Sequence, residues 1–272
     1  MRKLILFLVA VAAGSLVLCS VQGATPLGKI VYSGGGDIWL YDLATGADTQ
    51  LTFTRSGEAN PKFSPDGQTI AFQGAGIFLM NPDGSNVRLL SSFGATPAWS
   101  HDGTKIAFAD SSRTTRKGIW VINVDGTGLQ HLSNAGAFPA WSPDGFEIAF
   151  RNGDNPPLLS VMDSDGSNPH AISSQKGVID IVWSPSNRLA LARTVDPKSS
   201  FEVLSCDPLN CDGSLRQLTN RPKQDYEPTW SPDASMIAWA ALGTPAGIYI
   251  MNADGSGQTL KISGGRQPSW GP

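Results

Sequence analysis

The sequence predicts an all-β chain: a six-bladed β-propeller of four-stranded antiparallel blades, closed where the C-terminal strand joins the first blade. Three observations lead there. A unit built on an aromatic residue and a Ser-Pro turn recurs as PKFSPDG at Pro61, PAWSHDG at Pro97, PAWSPDG at Pro139, IVWSPSN at Ile181, PTWSPDA at Pro228 and PSWGP at Pro268. Its aromatics, Phe63, Trp99, Trp141, Trp183, Trp230 and Trp270, are spaced by 36, 42, 42, 47 and 40 residues. A period of about 40 residues is the length of one four-stranded blade. Finally, the chain begins its first unit without the aromatic strand and ends on that strand with nothing after it, so each end completes the other and hides two sheet edges.

The first element is a leader. Met1, Arg2 and Lys3 precede a run from Leu4 to Val21 that carries no charge, the basic and apolar regions of a secretory signal. Val21 and Gly23 place small residues at −3 and −1 before Ala24. Residues 1–23 therefore read as a cleaved signal and 24–272 as one propeller domain, exported to the periplasm or beyond. The run also sits at the lower edge of a membrane-spanning length, so an uncleaved anchor is an alternative. Cys19 raises lipidation as another, although Leu18 stands where a small residue normally precedes a lipidated cysteine.

Within each unit the aromatic strand is followed by a short apolar strand, IAF ending at Phe72, Phe108 and Phe150, LAL ending at Leu191, and IAW ending at Trp239. None is long enough for a helical stripe, and each is β-prone. A third strand and a second turn come next, in FLMNPDGS, WVINVDGT, SVMDSDGS and YIMNADGS, then a polar strand ending near Leu-Ser. In both turns Ser or Asn caps the first position, a Pro presets φ at the second where one is present, and Gly supplies the left-handed geometry that closes a hairpin with a bulge. Gly 30 and Pro 19 in 272 residues fit a chain of short strands and tight turns.

Tandem PxWSPDGxxIAF and MNxDGS units resemble the propeller repeats of the TolB family. The resemblance covers essentially all of residues 24–272. It is to the propeller alone, without the α/β domain that precedes it in TolB. It implies a propeller whose channel mouth takes a segment of a partner protein in the cell envelope.

The residues offer little chemistry. A net charge of −3 argues against a nucleic-acid partner, which would demand a basic face, and no second long apolar segment follows the leader, so no membrane insertion is expected once it is removed. His101 lies in a turn and His131 and His170 in polar strands of two different blades, with nothing to pair them. No G-x-S-x-G occurs. Asp163-Ser-Asp165-Gly-Ser-Asn168 looks like a calcium loop, but the same segment recurs elsewhere with carboxylates missing, which fits a turn. No metal and no cofactor is expected. Cys206 and Cys211 flank Asp207-Pro208-Leu209-Asn210, a candidate type I turn, and would suit a disulfide across a hairpin loop in an oxidising compartment.

The candidate binding surface is the set of loops entering the innermost strands, around the mouth of the channel. The residues before the Pro position are Asn60, Thr96, Phe138, Asp180, Glu227 and Gln267, with Glu58, Asp225, Tyr226 and Arg266 one or two further out. The arc from Asp180 to Glu227 is acidic and includes Tyr226, a candidate aromatic anchor for a basic or polar peptide. The alternative for all of them is an ordinary solvated loop. The expected function is thus a monomeric, non-catalytic propeller that binds an envelope protein or peptide. The alternative is a small-ligand or glycan-directed propeller, or an enzyme.

Overall fold

The computed structural model describes residues 28–54, 57–110, 116–153, 155–196, 200–220 and 224–272. The predicted leader over residues 1–23, with Cys19, lies outside the described residues. The strands follow the repeat. The first group is β1 (Lys29–Gly34), β2 (Asp37–Asp42) and β3 (Asp48–Gln50). Then come β4 (Ala59–Phe63), β5 (Ile70–Gln73), β6 (Ile77–Met80) and β7 (Arg88–Ser91). The third group is β8 (Ala95–Trp99), β9 (Lys105–Asp110), β10 (Gly118–Asn123) and β11 (Gln130–Ser133). The fourth is β12 (Ala137–Trp141), β13 (Glu147–Arg151), β14 (Leu158–Asp163) and β15 (His170–Lys176). It is followed by β16 (Val178–Trp183), β17 (Leu189–Asp196), β18 (Ser200–Cys206) and β19 (Arg216–Gln217). The last are β20 (Gln224–Trp230), β21 (Met236–Leu242), β22 (Gly247–Asn252), β23 (Thr259–Ser263) and β24 (Arg266–Gly271).

The chain is all-β, in four-stranded antiparallel sheets. Strands β4 to β7, β8 to β11 and β12 to β15 each form one, in sequence order. A fourth has the order β24-β1-β2-β3, with Ile30 opposite Trp270 and Val31 opposite Ser269. Strands β16 to β23 form one eight-stranded sheet, in which the meanders β16–β19 and β20–β23 meet at a single parallel bridge, Phe201 to Gln224.

The turns are built as their residues require. In the first, Ser64 Oγ donates to Asp66 Oδ1 (2.5 Å), which also accepts the Gln68 N–H, while the Gly67 N–H closes on the Ser64 carbonyl. The same lock forms at Ser100–Asp102, Ser142–Asp144 and Ser231–Asp233. Gly67, Gly103 and Gly145 sit at positive φ there, and so do their replacements Asn187 (φ 60°) and Ala234 (φ 59°). In the second turn, Asp165 Oδ1 accepts the Ser167 N–H, as Asp83, Asp125 and Asp254 do in the other sheets. A turn accounts for this segment in all four.

The core lies between sheets. The middle strand of each unit is buried on both faces, which is why IAF reads as an unbroken apolar run. Ile70 and Phe72 of β5 pack with Val31 and Ile38 of the preceding sheet, whereas Ala71 faces Ile106 and Phe108 of the next. Six such layers occur among the described residues, each shared by consecutive groups of strands. One of them joins Ala238, Ile248 and Ile262 to Ile30, Tyr32 and Trp270, linking the last strands of the chain to the first. The aromatic of the repeat is a wedge in these layers: Trp141, 9% exposed, packs against Ala107, Ile119 and Val121 of the sheet before its own.

The segment after β18 departs from expectation. Asp207 accepts the Leu209 N–H and starts a 3-10 turn over Pro208–Asn210, and Asn210 then caps the one-turn helix α1 (Cys211–Ser214). Cys206 and Cys211 are joined by a disulfide, but Cys211 opens the helix rather than lying on a returning strand. The expected hairpin is replaced because Asp207, Pro208 and Asn210 each favour a helical start. Asp212 of α1 then accepts hydrogen bonds from Ser173 Oγ (2.5 Å) and the Ser174 N–H (2.9 Å) of β15. No helix among the described residues is long and apolar enough to cross a membrane.

Candidate binding site

The innermost strands β4, β8, β12, β16, β20 and β24 enclose a cavity of about 350 Å³. Each carries a break in its ladder near its start. The cause is in the sequence for five of them. Pro61, Pro97, Pro139, Pro228 and Pro268 have no N–H to give to a ladder, so the strand bulges at the proline and the residue before it. Those preceding residues take left-handed backbone: Asn60 (φ 52°), Thr96 (51°), Phe138 (53°), Glu227 (55°) and Gln267 (53°). Asp180 precedes Ile181 and is not among the positive-φ residues. Left-handed backbone is unfavourable for side chains as bulky as Phe138 and Thr96, and a bulge re-aims the side chain it carries. All six residues line the cavity.

The bulges leave N–H groups outside the ladder, and side chains of neighbouring strands take up three of them. Glu227 Oε2 accepts the Gln267 N–H (2.8 Å). Gln267 Oε1 accepts the Asn60 N–H (2.9 Å) and Ser33 Oγ (2.6 Å). Asn60 Nδ2 donates to Gln73 Oε1 (2.8 Å), which is also reached by the Thr96 N–H (3.4 Å). The result is a polar belt running from β20 through β24 and β4 to β8. Elsewhere, Arg151, outside the lining, stacks over the Phe138 ring at 5.0 Å, and Asp180 Oδ1 accepts the N–H of Ile181 (2.8 Å).

Two carboxyl groups stand in this mouth. Burial raises Asp180 to about 6, against the opposing pull of Lys62, the Ile181 N–H and Arg151. Burial and then repulsion from Asp180 raise Glu227 to about 7, opposed by the Gln267 N–H, Lys62 and Arg266. Both side chains keep some contact with water in the cavity. Further in, Lys62, Ala98, Ala140, Val182, Thr229 and Ser269 form a middle level, and the repeat aromatics with the turn prolines and His101 line the remainder.

Four of the residues expected at the rim do not line the cavity. Asp225 is wholly buried and accepts the Trp239 Nε1–H at 3.1 Å, so it is a packing group of its own sheet. Glu58 is also buried and accepts from Thr54 Oγ1 (2.7 Å). Tyr226 lies edge-on to Phe201 at 6.4 Å, and Arg266 is exposed outside the mouth. The bulge is the reason: two residues on one rung shift the alternation, so residues before it no longer share a face with those after it. The proline within each strand was the sequence signal for this. The histidines remain apart: His131 stacks on Trp120 at 4.3 Å and His170 Nδ1 lies 2.9 Å from the Asn168 carbonyl. Among the described residues no three His, Cys, Asp or Glu side chains are grouped to hold a metal ion.

Residues 23–187 match the family described as TolB beta propeller domain. The chain belongs to this family. The fold agrees: the crystal structure of TolB from Acinetobacter baumannii superposes with a TM-score of 0.77 at 19% identity, over 90% of this chain and 67% of that one. A putative TolB from Agrobacterium tumefaciens gives 0.72 at 15% identity, over 89% and 91%. In sequence, 79 residues are 33% identical to the uncharacterized peptidase YuxL of Bacillus subtilis, which is 26% of this chain and only 12% of the length of that relative. As a member of the TolB beta propeller domain family, the chain has its inner strands, and hence its cavity, where a propeller places its central channel.

Proposed function

We propose that this chain is an exported, non-catalytic six-bladed propeller that binds a segment of a protein or peptide of the cell envelope at the mouth of its central channel. The ring reading rests on the six core layers and on the pairing of β24 with β1. The leader read over residues 1–23 supports export to the periplasm. The observation that carries the binding reading is the convergence of six unlike side chains, five of them on left-handed backbone, at one mouth. Conformations of this cost tend to persist where a site needs them. The mouth is also unequal: an acidic side with Asp180 and Glu227, and an aromatic side with Phe138, whose ring Arg151 covers from outside the lining.

A pull-down from envelope extract with crosslinking tests this, comparing wild type with Asp180→Lys. Asp180 is preferred because it accepts its hydrogen bond from the N–H of its own neighbour Ile181, not across sheets. Capture lost in the variant, and weakened by salt in wild type, is the expected result. Circular dichroism checks that both proteins are folded. Equal recovery by both would exclude this mouth, and recovery of nothing by either would favour a small ligand.

A further inference from the structure

We propose that the mouth of the cavity is a receptor for a primary ammonium group, seated between the carboxylates of Asp180 and Glu227. The proposal rests on the channel-mouth reading above and names the chemistry it selects. Both carboxylates line the same cavity, on β16 and on β20, and neither has an ion-pair partner among the described residues. Carboxylates withdrawn from water are normally paired. The groups that face them are few. Lys62 on β4 is the one lysine or arginine in the cavity lining, and its charge reaches both acids without forming an ion pair. Arg151 on β13 is engaged with the Phe138 ring, Arg266 on β24 is exposed outside the mouth, and Tyr226 beside Glu227 is an uncharged phenol at neutral pH. The lining thus holds two acidic groups and one lysine, while Arg151 and Arg266 act on the acids from outside it. That each acid is driven toward its protonated form near neutrality fits a place where a cation is wanted.

The shape of the donor set narrows the cation. A calcium ion would need six or more oxygen ligands, and no group of three candidate metal-binding side chains is found among the described residues. A guanidinium prefers one carboxylate presented as a parallel fork. An ammonium is compact, has three rotatable donors, and can divide them between two carboxylates on separate strands. Lys62 itself approaches as a tethered group of this kind from the middle level of the channel. It should therefore compete with an incoming amine, which could come from a lysine side chain or from the amino terminus of a peptide.

The test uses the mature chain with ¹³C-labelled carboxyl groups, followed by NMR, with n-butylammonium as probe. Lys62→Met removes the internal competitor and keeps an unbranched side chain. In this variant n-butylammonium should bind saturably, about tenfold or more tighter than in wild type, shift the Asp180 and Glu227 signals, and bind more tightly at pH 8 than at pH 5. Tetramethylammonium, with no N–H, should not bind there. Nα-acetyl-lysine amide and glycinamide then separate a side-chain source from a terminal one. The double variant Asp180→Asn, Glu227→Gln in the same background should lose the effect. Absence of saturable carboxyl shifts in Lys62→Met, or equal binding by the double variant or of tetramethylammonium, overturns the proposal. If Lys62→Met does not fold, the wild-type titration decides: carboxyl shifts at millimolar n-butylammonium support it, and none overturn it. Partner capture sensitive to Asp180→Lys but without ammonium binding would leave the channel-mouth reading standing and remove only this inference.

Discussion

Replacing Glu227 with Gln should stabilise the protein at alkaline pH and leave it nearly unchanged in acid. In the unfolded chain this carboxyl group ionises near 4.5, whereas in the fold it does so at about 7, because burial and then Asp180 oppose its charge. A raised carboxyl contributes its full share of stability below about 4.5 and loses it as the pH climbs through 7, since the folded state then gives up a proton that it held and the unfolded state had already lost. A sealed group so displaced would represent roughly 3 kcal/mol. Glu227 keeps contact with cavity water and shares its repulsion with Asp180, so about 1 to 2 kcal/mol is the expected gain at pH 8. The substitution retains an oxygen to accept the Gln267 N–H, so the belt between β20 and β24 is preserved. Urea unfolding of both proteins at pH 5, 6, 7 and 8 measures it. A variant less stable than wild type at pH 8, or a difference independent of pH, would refute the reasoning.

Four further outcomes are expected. Trp141→Ala should cost about 3 to 5 kcal/mol in urea unfolding, since a nearly buried indole leaves the layer against Ile119 and Val121. Deleting residues 267–272 removes Trp270, most of the partner of β1, and the Gln267 link to Asn60; a loss above about 5 kcal/mol is expected, and an unchanged midpoint would sink the ring reading. Ala234→Gly should stabilise by about 0.5 to 1 kcal/mol, because φ of 59° suits glycine better than alanine. Cys206 and Cys211 should resist alkylation in the unfolded, unreduced protein and react once a reductant is added.

Much of the fold was legible because the repeat states it twice, once in the aromatic wedge and once in the turns. Trp141, Trp183, Trp230 and Trp270 recur at blade period, and each occupies the layer between its own strands and those before it. The Ser-Pro-Asp-Gly turn was readable residue by residue because its bonds are local: Ser64 to Asp66 spans two positions. Asn187 and Ala234 show that the turn imposes its left-handed backbone even where glycine is missing.

The candidate site was legible only in part. Sequence by itself determined which six residues of the inner strands stand at the mouth, because proline and the aromatic mark that place in nearly every unit. It also determined the acidic character of the arc holding Asp180 and Glu227. Only the tertiary structure decided which way the neighbouring side chains face. A bulge shifts the alternation of a strand by one residue, so Asp225 turned from the rim into its own sheet while Glu227, two positions on, reached the cavity. It decided too that Glu227, Gln267 and Asn60 are linked, through bonds between residues 40 and 207 positions apart. Local patterns set strands and turns because those depend on neighbours in the chain. The charge state and partners of a cavity group depend on atoms that only the fold brings near.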